Sequence, residues 1–333
     1  MKSYLKLIRP YGMLFLGFTP VFGAIANGEF KLPHLFILFI IGLLAHIFTF
    51  VQNDYFDVDV DSKSKYVSNR PLATGSISQK TVFIIFLSSF ILSLVLVVGI
   101  FFSLQSFLVL LTSFLFITLY NKYSKHFLGM EYVLSIGIFT FGIFGALTVS
   151  NNISYLAIII SAVGFIQWLF SVGVSANLKD VEYDSKIGIR TTPMVFGVQV
   201  SDKSLRIPIA FSLYVIGLKI IHILIVSLPF LLGYTSIFIF GLPIPGIYFL
   251  TISLALLYIT IKILSTPLSK RDKMLIYMGL QEGLALLLIP ITLMSHLIEN
   301  IKILPTLFLI LLLILWPLFS FRMLFGKRMI PLE

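Results

Sequence analysis

Runs of about twenty mostly apolar residues, the length that crosses a bilayer, recur along nearly the whole chain. They centre on Leu16, Leu43, Ser89, Leu111, Phe141, Gly164, Val215, Ser253, Leu286 and Leu311. In lipid only helices and closed barrels satisfy every backbone polar group, and runs of this length predict helices. The expected fold is therefore all-α, a polytopic membrane helical bundle of nine or ten transmembrane helices. The count turns on Leu231–Gly246, which carries Gly233, Gly241, Pro243 and Pro245. It reads either as an outer loop or as part of a broken helix that lowers the count to nine. Composition agrees with the class: 58% of the 333 residues are hydrophobic and 11% charged, against about 25% charged in soluble domains. Residues 1–333 read as a single integral-membrane domain, with a possible extra C-terminal helix at about 303–325.

Charge placement gives an orientation. Lys2, Lys6 and Arg9 precede the first apolar run, and no small-residue cleavage site follows, so the run reads as an uncleaved first helix. With ten spans and a cytoplasmic N-terminus, the next inner segments hold Lys63, Lys65, Arg70 and Lys80, then Lys122 and Lys125. Lys179, Lys186, Arg190, Lys203 and Arg206 follow, then Lys270, Arg271 and Lys273, and finally Arg322, Lys327 and Arg328. Twenty of the 24 basic residues thus fall on one side, as the positive-inside rule expects. Lys31 and Lys302 fall in outer connections, and Lys219 and Lys262 within or near spans. The net charge of +10 accordingly reads as basic cytoplasmic loops rather than a nucleic-acid surface. No obligate protein partner is evident. The chain has no cysteine, which excludes disulfides and thiolate metal sites.

Acids are scarce and grouped. Seven of the fourteen lie in two short segments, each at the end of an apolar run: Asp54, Asp57, Asp59 and Asp61 beside Asn53, and Asp180, Glu182 and Asp184 beside Asn177. Asn53, Asp57 and Asp61 are spaced i, i+4, i+8, and Asn177, Asp180 and Asp184 i, i+3, i+7. Either spacing lines one helix face. The segments echo each other: Asp61-Ser62-Lys63 precedes Arg70-Pro71, and Asp184-Ser185-Lys186 precedes Arg190 and Pro193. They end the second and sixth spans, which suggests two similar half-sites. Asp59 lies off the motif face and reads as solvated or supporting, as does Glu182. Lys63, Lys65 and Lys186 read as topology charges.

Carboxylates at the ends of membrane helices are costly without compensation. An all-oxygen set selects Mg2+, Mn2+ or Ca2+ over zinc. Mg2+ takes one or two carboxylates and completes its shell with water and substrate phosphate. Arg70, Lys125, Lys179 and Arg190 are placed to complement remaining phosphate charge. The expected ligand is a phosphate or diphosphate at the membrane surface with its attached group in the apolar bundle, the shape of a lipid diphosphate.

At these residues the chain resembles the UbiA-type intramembrane prenyltransferases. Asn53-Asp54-x-x-Asp57-x-x-x-Asp61 resembles their first aspartate-rich motif and Asp180-x-x-x-Asp184 their second. Asn69-Arg70-Pro71-Leu72 with Gly75 is similar to their basic turn, Tyr120-x-x-x-x-Lys125 resembles a third motif, and Arg9-Pro10 sits where such a pair often occurs. The resemblance covers roughly residues 9 to 200. It implies an all-α bundle, usually of nine helices, around a central cavity, and Mg2+-dependent transfer of an isoprenoid chain from a prenyl diphosphate to a lipophilic acceptor. Carried over by position, Asn53, Asp57 and Asp61 hold one Mg2+ with Asp54 in support, and Asp180 and Asp184 hold a second; Mn2+ is an expected substitute. Arg70, Lys125 and Lys179, with Arg190, grip the diphosphate, and Tyr120 sits near the reacting carbon.

Lys219, His222, Gln281 and Glu282 lie inside apparent spans, where polar groups are expensive and often functional; helix–helix hydrogen bonding explains them almost as well. Arg9, Asn177 and Glu282 are the candidate acceptor-pocket residues. The run Gly188-Ile189-Arg190-Thr191-Thr192 looks slightly more like the aromatic-acceptor branch, and the Thr192-Pro193 ending leans toward the lipid branch. An aromatic quinone precursor is the narrow choice, with archaeal ether-lipid synthesis (geranylgeranyl transfer to geranylgeranylglyceryl phosphate) the alternative. An ion-coupled transporter is the alternative of another class, but it would set its carboxylates near the midplane on broken helices. The Asp-Gly/Ala-Arg arrangement of CDP-alcohol phosphotransferases is not found.

Overall fold

The computed structural model describes residues 2–64, 67–201 and 204–326. Lys65, Lys203, Lys327 and Arg328, counted above among the inner basic residues, lie outside them. Ten helices among the described residues are long and apolar enough to cross a membrane. In chain order they are Lys2–Ala26, Leu32–Asp61, Gln79–Ile100, Leu104–Tyr123, Met130–Leu147, Tyr155–Lys186, Ile209–Leu231, Ile244–Ser265, Leu268–Thr292 and Ile303–Phe325. Each contains one of the ten expected centres. The ambiguous segment resolves as a connection: the seventh span ends at Leu231, an isolated bridge pairs Ile239 with Leu242, and the eighth begins at Ile244. Gly233 and Gly241 there have positive φ, a conformation that β-carbons disfavour. Strands Gln199–Ser201 and Ser204–Arg206 form the one short antiparallel pair among the described residues.

The spans carry large apolar side chains outward as well as inward. Leu92, Val95 and Val98 of the third span and Leu304, Phe308, Leu311 and Leu315 of the tenth are exposed. Helices this apolar on their open faces need lipid rather than water around them, and the chain is an integral membrane protein.

The chain forms two compact units. The first comprises residues 1–123, 136–161 and 314–333. The second span is its centre and packs on the first, third and fourth. A β-carbon on Gly145 of the fifth span would fall 1.9 Å from the Pro20 carbonyl of the first, so only glycine permits that approach. The first span is interrupted: Lys2–Ile8 is helical, Arg9 is left-handed (φ 48, ψ 62), Pro10–Gly12 is a 3-10 turn, and the helix resumes at Met13. Pro10 excludes Arg9 from the ordinary helical region. The break exposes the Ile8 carbonyl, and His46 of the second span donates to it from Nε2 (2.9 Å).

The second unit comprises residues 124–135 and 162–313. The seventh, eighth and ninth spans pack on one another. The lower part of the sixth meets Phe211, Val215, Met274 and Met278 in one apolar core. The sixth span is α-helical over Tyr155–Phe170, turns as a π-helix over Ser171–Ala176, and is α-helical again over Asn177–Lys186.

Candidate active site

In the first unit, the second span stays helical through its acids to Asp61. Asp54, Asp57 and Asp61 are buried, whereas Asp59 is exposed. That division follows helical phase. Asn53 donates to Asp57 from Nδ2 (3.2 Å), which sets those two side chains one above the other. Asp54 is the most enclosed of the three, 2% exposed. It takes an ion pair from Arg9 and a second, at 3.3 Å, from Arg70 Nη1. Arg70 also donates to Asp61 Oδ2 at 2.7 Å. Arg9 lies across the Phe50 ring, 5.3 Å from its centroid, a cation–π contact that adds to its hold. Burying charge requires compensation of this kind.

Arg70 is presented by a compact turn. The Arg70 carbonyl accepts from the Thr74 amide at 3.0 Å, and the Pro71 carbonyl from Ser76 Oγ at 3.0 Å. Tyr120 is half-buried in the last turn of the fourth span. Its neighbour Asn121 donates from Nδ2 to the Thr49 carbonyl and to Gln52 Oε1, each at 2.9 Å. That clamp holds the end of the fourth span beside the turn that leads into Asn53.

In the second unit, Asn177 opens the helix that follows the π-turn, and Asp180 and Asp184 lie on it. Asp184 is 2% exposed, with Lys125, Asp180 and Lys179 within electrostatic reach. Asp180 is half-buried, 3.2 Å from Arg271 Nη2 and 3.8 Å from Lys179 Nζ. Arg271 also donates to the Lys179 carbonyl. Arg190 follows the helix on an exposed segment after Gly188. Glu182 pairs with Lys186 at 2.8 Å on the accessible side. Thr192 donates to Glu131, which fastens the segment after the second motif to the start of the fifth span. Glu282, in the ninth span, shares a hydrogen bond with Ser171 of the π-turn.

Two residues escaped the sequence reading of the charge pairs. Arg9, a candidate acceptor-pocket residue by its position, pairs with Asp54. Arg271 was counted only as an inner basic residue and holds the second motif. Their acidic partners are 45 and 91 residues away in the chain, and no local spacing signals such pairs. Among the described residues, no three acidic or histidine side chains converge as a ready-made metal cage. The donor set still suits Mg2+, which needs only one or two carboxylates when phosphate and water complete its shell. Asp57 with Asp61, and Asp180 with Asp184, supply such pairs on single helix faces.

Comparison with known proteins gives this arrangement its family. A digeranylgeranylglyceryl phosphate synthase from Thermococcus sibiricus is 26% identical over 211 residues, 61% of this chain and 71% of its own. A 4-hydroxybenzoate octaprenyltransferase from Francisella tularensis is 26% identical over 206 residues, 60% of this chain and 71% of its own. A UbiA homolog from Archaeoglobus fulgidus, solved bound to GPP and Mg2+, shares the fold with a TM-score of 0.59. It is 19% identical, over 86% of this chain and 99% of that one. The UbiA prenyltransferase family as a whole matches residues 14–279, which takes in both acidic motifs and the second to eighth spans complete. The chain belongs to the UbiA prenyltransferase family.

Proposed function

We propose that this prenyltransferase transfers an isoprenoid chain from a prenyl diphosphate to a lipophilic acceptor within the membrane, with Mg2+ and with release of diphosphate. The observation that carries the reading is the matching of buried carboxylates with cationic side chains at the ends of two spans, Asp54 and Asp61 with Arg70, and Asp184 with Lys125 and Lys179. In this reading Asn53, Asp54, Asp57 and Asp61 hold one Mg2+, and Asp180 and Asp184 a second. Bound Mg2+ neutralises phosphate oxygens and so stabilises diphosphate as a leaving group.

The side chains do the rest. Arg70, Lys125, Lys179 and Arg190 orient the diphosphate through charge-assisted hydrogen bonds. Tyr120 presents an aromatic face to the allylic carbon, where cation–π attraction of about 1–2 kcal/mol favours developing positive charge. Apolar surroundings keep water from that carbon. The sided distribution of basic residues supports a cytoplasmic N-terminus and an active site facing the cytoplasm.

An aromatic quinone precursor is the first acceptor in this reading, on the strength of the Gly188–Thr192 run and the Francisella relative's name. The Thr192-Pro193 ending and the Thermococcus relative's name favour geranylgeranylglyceryl phosphate as the second.

The test is product formation by the purified protein in lipid nanodiscs. Geranylgeranyl diphosphate is supplied with 4-hydroxybenzoate, dihydroxynaphthoate and geranylgeranylglyceryl phosphate, with Mg2+ or with EDTA. A Mg2+-dependent prenylated product, lost in EDTA, is the expected mass-spectrometric result, and its mass names the acceptor. Equal product in EDTA refutes the metal assignment, and no product from any of the three refutes the acceptor reading.

A further inference from the structure

Lys219 sits midway along the seventh span with none of its surface exposed. Its ammonium donates to Gln167 Oε1 at 3.2 Å and lies 4.0 Å over the Phe170 ring. Gln167 and Gln281 exchange side-chain amide bonds of 3.2 and 3.4 Å. Gln167 also donates to Ser171 Oγ at 3.2 Å, and Ser171 shares a hydrogen bond with Glu282. Lys179 and Lys219 lie within electrostatic reach of the Glu282 carboxylate. His222, one turn on from Lys219, is fully buried, and neither ring nitrogen finds a partner among the described residues. Within the second unit, residues of the sixth, seventh and ninth spans thus converge on one buried polar cluster.

Joining helices does not require this cluster. The Gln167–Gln281 pair alone would link two spans. An added lysine and glutamate at membrane depth are costly and are functional by default. Accessibility divides the members. Lys219, His222 and Gln281 are sealed, whereas Glu282 keeps accessible surface. The sealed groups therefore back a residue that is not itself sealed.

The transfer reaction has a use for such a group. The allylic C–O bond breaks and its electron pair leaves with diphosphate. A carbon or oxygen of the acceptor forms the new bond to the allylic carbon and must lose its proton. Midway through a span, bulk water is not at hand to take it. We propose that Glu282 is the catalytic base that receives this proton from the hydroxyl-bearing end of the acceptor, and that the Ser171–Gln167–Gln281–Lys219 cluster behind it positions its carboxylate. Ser171 fixes the carboxylate, and Lys219 balances its charge. The assignment rests on the prenyl-transfer reading above.

Glu282→Gln tests it, because the amide keeps the shape and cannot take a proton. The variant and the wild type are compared in nanodiscs with geranylgeranyl diphosphate, Mg2+ and the same three acceptors. Loss of a general base costs about 100-fold or more, so transfer should fall by at least that factor. Mg2+-dependent donor binding should stay within twofold. Glu282→Asp, which keeps a carboxylate, should recover part of the transfer rate. Transfer within threefold of wild type in Glu282→Gln overturns the proposal, and so does loss of donor binding in step with transfer. A wild type that prenylates none of the acceptors removes the underlying reading first, and that result is visible without any variant.

Discussion

Asp54 shows how little freedom the first motif has. It is nearly sealed, and two arginines from different parts of the chain end on its carboxylate. Asp57 and Asp184 are the test residues, because each is a buried member of its motif and exchange to Asn keeps the side-chain shape while removing the charge. Asp57→Asn and Asp184→Asn should each lower turnover by at least about 100-fold, the scale on which removing one transition-state charge contact acts, with thermal melting in detergent close to wild type. Normal turnover in both variants would sink the two-metal assignment. The motif residues were legible because oxygen ligands crowd into a chain with almost no other acids. Arg9 and Arg271 were not, because a single sequence carries no trace of a partner 45 or 91 residues away. The burial of Asp54 and exposure of Asp59 followed helical phase, the one geometric rule that spacing supplies.

At the scale of the element, all ten spans were readable from apolar run length, and the π-turn of the sixth was not. A periodicity of 3.6 assumes an unbroken α-helix, and Ser171–Ala176 departs from it without any proline to mark the place. The departure has consequences on both sides. It resets the phase of Asn177, Asp180 and Asp184 relative to the body of the span, and it brings Ser171 to Glu282. π-turns gather at functional sites for such reasons. Gly173 lies inside this turn, and a β-carbon there would stand 3.1 Å from Glu131 Cγ. Glu131 has little room to retreat, because Thr192 holds its carboxylate. Gly173→Val should therefore cost about 1–3 kcal/mol, the usual price of overpacking, and should weaken donor binding because Lys179 lies on the displaced helix. Thermal melting and Mg2+-dependent donor affinity measure the two effects. A valine variant that matches wild type in both would show that the glycine is not needed for the close approach.

At the scale of the whole molecule, the tenth span, expected at about 303–325, is the span that the family match leaves uncovered. The family match ends at residue 279, and Ile303–Phe325 lies wholly beyond it. The helix was legible as an apolar run, but its attachment was not. Its C-terminal half belongs to the unit built from the first spans. There Trp316 Nε1 donates to the Pro10 carbonyl at 2.7 Å, and Phe321 stacks on Tyr11 with ring centroids 4.5 Å apart. Both contacts fall on the turn that follows Arg9. Arg9 is held left-handed there, a conformation that costs a residue with a β-carbon roughly 1–2 kcal/mol, and surrounding contacts must maintain it. The tenth span thus secures the turn from which Arg9 reaches Asp54. Trp316→Phe keeps a ring and removes only the N–H donor, at about 1 kcal/mol for one hydrogen bond. If that loss falls on the Arg9 turn, the donor KM should rise by about fivefold. Trp316→Ala, which also removes the ring, should raise it further. Steady-state kinetics in nanodiscs over a range of geranylgeranyl diphosphate decides the matter. A lowered melting temperature with an unchanged donor KM would make the tenth span packing alone, whereas a raised KM in the phenylalanine variant ties the end of the chain to the geometry of its first acidic motif.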